Sequence, residues 1–255
     1  MSNLVTIQHL TKYMGTTERR LLFEKVNATI AEGERIAILG ASGQGKSTLL
    51  RILSLLDVPD EGDILWKRTS YLDSDPRAWR MRMSYVAQQP VMLAGSVEDN
   101  LKTVHLLHRT PYDQKLALLL LAGMGLEGLD IHKRASDLSG GEKQRISLIR
   151  SMMLRPKVLL LDEVTASLDR TNARLVEQQL TEWSKQEGIS LVWVTHDQEQ
   201  ARSFSTTTWF MGNQTLLERE STSLFFAHPN TELARQFILH PAPEADKENP
   251  CPSSH

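Results

Sequence analysis

The chain has little cysteine, little net charge and no long hydrophobic run. Its single cysteine, Cys251, excludes an internal disulfide and a cysteine-rich metal site, which fits a reducing compartment. The formal net charge of -2 gives no bulk attraction to a polyanion, so we expect no nucleic-acid partner. The N-terminal stretch MSNLVTIQHL has no basic region followed by an apolar run, so we expect no secretory signal.

The longest apolar stretch, LALLLLAGMGL at 116–126, is too short to span a bilayer. It predicts instead a buried helix that ends near Gly123 and Gly125. If the protein acts at a membrane, we expect it to do so through a partner. The length of 255 residues and the hydrophobic content of 40% are typical of a globular protein with a sizeable core.

Short apolar runs alternate with helical segments along much of the chain. Helices are predicted after the glycine-rich segment 40–47, ending near 58–62, and at about 170–187. Such alternation favours a largely parallel sheet with both faces covered. Strands are predicted at residues 4–10, 25–30, 35–40, 63–66, 82–89, 157–163 and 189–197.

The character of the sequence changes between residues 90 and 155, where helical spacing dominates and predicts a helical insert. A late hairpin at 206–220 and a short helix at 232–239 are expected after the last buried strand. Residues 241–255 are rich in proline, charge and serine, and we expect this tail to be disordered.

The segment GASGQGKS at 40–47 follows a predicted strand and opens a helix, which is the context of a phosphate-binding loop. Gly43 and Gly45 allow the backbone N–H groups to wrap closely around a phosphate. Lys46 supplies a point charge to the β- and γ-phosphates, and Ser47 offers a hydroxyl to Mg²⁺. The alternative is an ordinary glycine turn. The segment predicts a nucleoside triphosphate, without separating a kinase, a GTPase or a motor.

Two carboxylates end the buried strand VLLLDE at 158–163. Side-chain alternation points Asp162 and Glu163 in opposite directions, so we expect them to have separate roles. Asp162 is suited to hold Mg²⁺ beside Ser47, and Glu163 to polarise an attacking water as general base. His196 ends the next buried strand, at the sheet edge where ligands bind. A solvated strand end and a structural histidine are the alternatives.

The octet LSGGEKQR at 138–145 predicts a helix start. Ser139 can cap the helix while Glu142 reaches back to the N–H of the cap. This does not explain Gly140 and Gly141, because adjacent glycines weaken a helix start unless something must approach the backbone closely.

Together, these motifs resemble the ATP-binding cassette (ABC) family over roughly residues 4 to 220. They occur in the order of the family: the phosphate loop at 40–48, YVAQQP, LSGGEKQR, LLLDE, ASLD at 166–169 and THD at 195–197. The resemblance implies an α/β P-loop NTPase fold with a mostly parallel sheet core, an N-terminal antiparallel β subdomain and an inserted helical subdomain. It implies one nucleotide-binding domain over 1–240, with its core at about 1–89 and 156–240 and its helical subdomain at about 90–155.

The resemblance also assigns residues to ATP and Mg²⁺. Metal ligands would be Ser47, Gln88 and Asp162. Catalysis would use Glu163, His196, Gln88 and Lys46, with His196 on the γ-phosphate. The nucleotide-binding loop would comprise Gly40, Ala41, Ser42, Gly43, Gln44, Gly45, Lys46, Ser47 and Thr48.

Four further residues, Ser139, Gly140, Gly141 and Glu142, would face the γ-phosphate of ATP bound to a second cassette. Since the chain has one phosphate loop and one such segment, the resemblance implies that two copies pair head to tail around ATP.

Other residues match the family less directly. Tyr13 resembles the aromatic that stacks on adenine, with a plain surface tyrosine as the alternative. Asp169 resembles the acidic residue of the loop that crosses between subunits. Gln88 aligns better than Gln89 with the glutamine that joins the core to the helical insert. Val164 departs from the proline most common in the family, although an aliphatic residue also occurs there.

The implied function is the ATP-hydrolysing subunit of a bacterial transporter, at the cytoplasmic face of the cell membrane with a separate multi-span permease. Pro90, Met92 and Leu93 would contribute to a groove for the permease, or simply to core packing. The cassette resembles a small subgroup linked to iron export and related to phosphate-import ATPases.

The main alternative is a cassette that powers a non-transport membrane complex, such as lipoprotein release or cell-wall remodelling. A translation-factor or DNA-repair cassette would need a second cassette or a long coiled coil. A GTPase would need an Asn-Lys-x-Asp motif, which the sequence lacks. A pure nucleotide-binding scaffold would leave Glu163 and His196 without a use.

Overall fold

The structure, a computed structural model, describes residues 3–15 and 18–240. Its N-terminal sheet is antiparallel, in the order β2-β1-β4-β5. Alternating side chains of its long strands are buried, which is the pattern of a sheet with one face on the core. The strands are β1 (Asn3–Met14), β2 (Arg20–Ala31), β4 (Glu61–Trp66) and β5 (Thr69–Ser70).

The second sheet has the order β10-β9-β3-β8-β7-β6 and is parallel except for the β9–β10 hairpin. Every residue of β7 and β8 is buried, as expected for strands covered on both faces. The carboxyl ends of β3, β7 and β8 therefore meet at one edge. The strands are β3 (Arg35–Leu39), β6 (Met83–Val86), β7 (Val158–Asp162), β8 (Ser190–Val194), β9 (Thr207–Gly212) and β10 (Thr215–Ser221).

Helices cover both faces of this sheet and form the insert between β6 and β7. The insert shares one hydrophobic cluster with β7 and β8, which includes Leu101, Leu120, Ile149, Leu159 and Trp193. The helices are α1 (Lys46–Leu53), α2 (Pro76–Arg82), α3 (Val97–His108), α4 (Gln114–Gly123), α5 (Gly140–Met152), α6 (Arg170–Glu187), α7 (Gln198–Phe204), α8 (Thr222–Ala227) and α9 (Glu232–Leu239).

Two details of the sequence prediction are wrong. The helix after the phosphate loop ends at Leu53, well before 58–62, because the chain turns at Leu55, where φ is +55°. The apolar helix α4 is buried on one face only. Leu116 and Leu120 lie in the core, whereas Leu118 and Leu119 are 52% and 59% exposed.

No helix within residues 3–15 and 18–240 combines the length and the apolar character needed to cross a membrane. The tail 241–255, for which we predict disorder, lies outside the described residues. The division into a core and a helical subdomain at 90–155 stays a prediction.

Candidate active site

The phosphate loop joins β3 to α1 and depends on glycine at both ends. Gly40 and Gly45 have φ of +143° and +86°, a region that favours glycine. A Cβ at Gly45 would lie 2.7 Å from Phe23 Cδ1, and one at Gly40 would collide with the carbonyl of Met211 on β9. Phe23 and Met211 are both buried, so neither can move aside to admit a side chain at these two positions.

Lys46 is buried at the base of the loop, 6% exposed. Its Nζ donates to the carbonyl oxygens of Gly40 at 2.7 Å and Ala41 at 2.8 Å. Desolvation lowers the pKa of this ammonium, and the negative charges of Glu163 and Asp162 oppose that change. The loop thus holds a positive charge in a weakly solvated position, where it acts strongly on a nearby anion.

A cavity of about 280 Å³ opens above the loop and is called the loop cavity below. It brings together eight of the predicted site residues from distant parts of the sequence. The two apolar residues that line it, on β1 and β2, escaped sequence reasoning because no motif marks them. The cavity is lined by Met14, Leu22, Ser42, Gly43, Gly45, Lys46, Ser47, Thr48, Glu163 and His196.

Asp162 is the hydrogen-bond acceptor for two hydroxyl groups. Ser47 Oγ donates to Oδ1 at 2.8 Å, and Tyr85 OH donates to Oδ2 at 2.8 Å. Burial raises the pKa of Asp162, and the two hydrogen bonds offset part of that rise. Tyr85 was not predicted, because its place beside Asp162 comes from the parallel pairing of β6 with β7. The oxygens of Ser47 and Asp162 are of the type that Mg²⁺ prefers.

Glu163 follows β7 with φ of +47°, a strained conformation for a residue with a side chain. Its carboxylate lies between two partners. Gln88 Nε2 donates to Oε2 at 2.9 Å, and His196 Nε2 lies 2.5 Å from Oε1. The hydrogen bond from His196 lowers the pKa of Glu163 more than burial raises it. The carboxylate is therefore ionised at neutral pH, as a general base must be.

The octet 138–145, called the signature segment below, forms the predicted capping box. Glu142 N donates to Ser139 Oγ at 3.2 Å, and Ser139 N donates to Glu142 Oε2 at 2.7 Å. A Cβ at Gly140 would meet nothing within 4 Å among the described residues, while one at Gly141 would lie 3.2 Å from Leu168 Cδ2. Packing within the chain thus gives no reason for Gly140 to lack a side chain.

Three predicted groups lie away from the loop cavity. Within residues 3–15 and 18–240, the signature segment is not part of its lining. Tyr13 is also outside the lining, and the Arg19 guanidinium lies 4.7 Å from the centre of its ring. Asp169 caps α6 by accepting from Asn172 N at 2.9 Å. The ligand roles predicted for these residues stay predictions.

The segment predicted as a docking groove is divided between core and surface. Met92 packs against the core of the insert, whereas Leu93 is 44% exposed and Pro90 is half-buried. A separate groove of about 460 Å³ lies between α1, α2, α3 and α5 and contains no residue of that segment. It is lined by Ser54, Leu56, Arg77, Arg80, Met83, Ser84, Tyr85, Leu107, His108, Ser151 and Leu154.

A buried lysine in a phosphate loop, beside a paired aspartate and a glutamate–histidine contact, defines a P-loop nucleoside triphosphatase. A sequence model of the family described as ABC transporter matches residues 23–166, more than half of the chain. The chain is 36% identical to the putative ABC transporter ATP-binding protein YjkB of Bacillus subtilis (strain 168), over 85% of this chain and 86% of that protein. It is 37% identical to the probable iron export ATP-binding protein FetA of Escherichia coli (strain K12), over 70% of this chain and 80% of that protein. The chain therefore belongs to the ABC transporter family and is one of its ATP-binding ATPase subunits.

Solved structures confirm the predicted fold class. The cbiO1 structure from Clostridium perfringens, part of the ABC transporter complex cbiONQ, superimposes with a TM-score of 0.78 at 26% identity, covering 94% of this chain and 96% of that one. The cassette MJ0796, a dimer in a post-hydrolysis state bound to ADP and Pi, gives 0.77 at 29% identity, covering 86% and 98%.

Proposed function

We propose that two copies of this chain close around ATP and that hydrolysis reopens them, driving a separate membrane permease. The carrying observation is the division of the site within one chain. Lys46, Glu163 and His196 line the loop cavity, and Asp162 accepts from Ser47 in its wall. Among the described residues the signature segment lies outside this cavity, with open space beside Gly140. The capped start of α5 presents N–H groups and a positive dipole end, which suit the γ-phosphate of a nucleotide held by another copy. The dimeric form of the similar cassette MJ0796 supports this arrangement.

The chemistry proposed for the loop cavity begins with ATP on the phosphate loop, residues 40–48. Lys46 would bind the β- and γ-phosphates, and Glu163 would take a proton from the attacking water. His196 contacts the Glu163 carboxylate in the structure. With ATP bound, His196 would also reach the γ-phosphate. Gln88 would orient the water through its contact with Glu163.

Mg²⁺ fits the donor set beside the loop. Ser47 Oγ and Asp162 Oδ1 are 2.8 Å apart, and Gln88 Nε2 donates to Glu163 Oε2 at 2.9 Å. We assign these three residues to the ion, which would supply charge neutralisation of the triphosphate when bound.

The remaining predicted contacts belong to the paired form. Ser139, Gly140, Gly141 and Glu142 would face the partner's ATP, and Asp169 would lie at the crossing between copies. Tyr13, whose ring also lies beside the Arg19 guanidinium, would stack on adenine.

The proposed place of action is the cytoplasmic face of the membrane, on a multi-span permease. The cbiO1 relative is part of a transporter complex, which supports such a partner. For the cargo we propose a metal, with iron export favoured by the likeness to FetA. Co-purification with a multi-span permease, together with metal efflux from cells, would support a metal-exporting transporter. Co-purification with a protein that has a large extracytoplasmic domain would instead indicate lipoprotein release or cell-wall remodelling.

The variant Glu163→Gln tests the core of the proposal, because it keeps the shape of the side chain and removes the base. We expect ATP hydrolysis to fall by about 100-fold or more. ATP binding should persist, so the protein should accumulate as a dimer, measured by light scattering after size exclusion with ATP. The matched control is Glu182→Gln, an exposed position on α6, which should behave as wild type. A fully active Glu163→Gln protein, or one that stays monomeric with ATP, contradicts the proposal.

A further inference from the structure

A second cavity, of about 240 Å³, shares Glu163 and His196 with the loop cavity and is called the rear cavity below. It lies between the loop 163–169, the start of α6 and the start of α7. Polar side chains dominate its wall, which includes residues of the LLLDE, ASLD and THD motifs. The rear cavity is lined by Glu163, Thr165, Ala166, Leu168, Arg170, Ala173, Glu177, Thr195, His196, Asp197 and Gln200.

Gln200 connects the three elements around the rear cavity. It lies on α7 and is 6% exposed. Its Nε2 donates to Thr165 Oγ1 at 3.0 Å and to Glu177 Oε1 at 2.6 Å. One amide therefore joins α7 to the loop that follows Glu163 and to α6.

The orientation of this amide is fixed by chemistry. Burial raises the pKa of Glu177. In its ionised form this carboxylate only accepts hydrogen bonds, so the NH₂ group of Gln200 faces it. The Gln200 Oε1 atom is then left buried, with no hydrogen-bond partner among the described residues. A buried acceptor without a partner is unfavourable for stability. The Gln200 amide therefore holds the loop 163–169 in place at a cost in folding stability. Such a cost is typical of groups that position a functional site.

Short backbone segments connect the contacts of Gln200 to Glu163 and His196. Ala166 N donates to the Glu163 carbonyl at 3.0 Å, so a tight turn connects Glu163 to Thr165. On the other side, Asp197 caps α7 by accepting from Gln200 N at 3.1 Å, and Asp197 directly follows His196. A shift of Thr165 relative to α7 therefore changes the distance between Glu163 and His196.

We propose that Gln200 is a positioning residue, whose amide holds the loop 163–169 in register with α7 so that Glu163 and His196 stay in contact. This inference rests on the proposed function, in which Glu163 is the base and His196 its partner. Gln200 itself does not line the loop cavity.

The test is Gln200→Met, which keeps the length of the side chain and removes both hydrogen bonds. We expect kcat for ATP to fall by about tenfold, while KM changes by less than about twofold, because ATP binds in the other cavity. The melting temperature should fall only slightly, because removal of the unpaired Gln200 oxygen offsets part of the loss of the donor to Thr165 and Glu177. The matched control is Gln198→Met on the same helix, whose Nε2 donates to Phe237 O at 2.8 Å, away from the loop. The control should keep its kcat.

A double-mutant cycle separates positioning from general packing. Thr165→Val removes the acceptor, and we expect it to lower kcat as Gln200→Met does, whereas Thr165→Ser should keep wild-type kcat. The combined Gln200→Met and Thr165→Val protein should be no slower than either single variant. An unchanged kcat in Gln200→Met, an equal loss in the control, or losses that multiply would overturn the inference. An active Glu163→Gln protein would instead overturn the proposed function, so the two failures are distinguishable.

Discussion

The phosphate loop and the signature segment are built in opposite ways. At the loop, Lys46, Ser47 and Glu163 all have partners within the same chain, and glycine is required because Phe23 and Met211 lie against the backbone. At the signature segment, the side chains of Ser139 and Glu142 each accept from the backbone N–H of the other, and a Cβ at Gly140 would meet open space among the described residues.

This difference separates two reasons for a glycine. The loop glycines are explained by the fold of one chain. The described residues leave room for a side chain at Gly140, so the proposed approach of a second copy would account for this glycine. A change at the loop should therefore damage the site in a single copy, whereas a change at Gly140 should damage only the pair.

The largest effect is expected for Lys46→Ala, which breaks the loop side of the comparison. Removing a buried positive charge from the phosphate site should lower kcat/KM for ATP by about 100- to 1000-fold. The measurement is steady-state ATP hydrolysis, with Lys115→Ala on the exposed face of α4 as the control. Activity within tenfold of wild type would show that the loop does not grip the triphosphate.

A smaller effect, confined to the pair, is expected for Gly140→Asp. An acidic residue in the first turn of α5 interacts favourably with the helix dipole, so the melting temperature without nucleotide should not fall. In the closed pair the same carboxylate would face the γ-phosphate. We expect ATP hydrolysis to drop by about tenfold, on the order of 1.4 kcal/mol, together with ATP-dependent dimerisation. The uncharged Gly140→Ala should lower both by less than Gly140→Asp does, because its methyl group hinders close approach without adding a negative charge. Normal dimerisation of Gly140→Asp would remove the distinction between the two regions.

The smallest effect concerns the stability of the loop side, tested by Asp162→Asn in metal-free, nucleotide-free protein. Burial raises the folded-state pKa of Asp162. Its contribution to stability is thus fully present below the unfolded value of about 3.9 and is lost as pH rises through the folded-state pKa. Asparagine stays neutral, so the variant should melt about 2–4 °C higher at pH 7. The gain should shrink as pH is lowered toward about 4. A variant that is less stable at neutral pH would show that the two hydroxyl contacts outweigh burial.

Sequence reasoning located the site where short motifs sit at strand ends, because such motifs specify local geometry. The phosphate loop, Asp162, Glu163 and the capping box of Ser139 and Glu142 are examples of this. It missed residues whose role depends on which strands are neighbours. Tyr85 reaches Asp162 only through the pairing of β6 with β7.

The sequence also did not predict which faces of the helices are exposed and which are buried by their neighbours. The run of leucines in α4 predicts a buried helix, yet Leu118 and Leu119 are exposed among the described residues. Gln200 looked like any polar residue after the THD motif. Its burial against Thr165 and Glu177 follows from how α6 and α7 pack, which no local pattern encodes.

The hairpin of β9 and β10 stands directly behind the phosphate loop. The carbonyl of Met211 leaves no room for a side chain at Gly40, and Gln214 N donates to Gln44 Oε1 at 3.3 Å. A ligand that binds to this hairpin and shifts it would change the affinity of the phosphate loop for nucleotide. It would do so without entering either cavity.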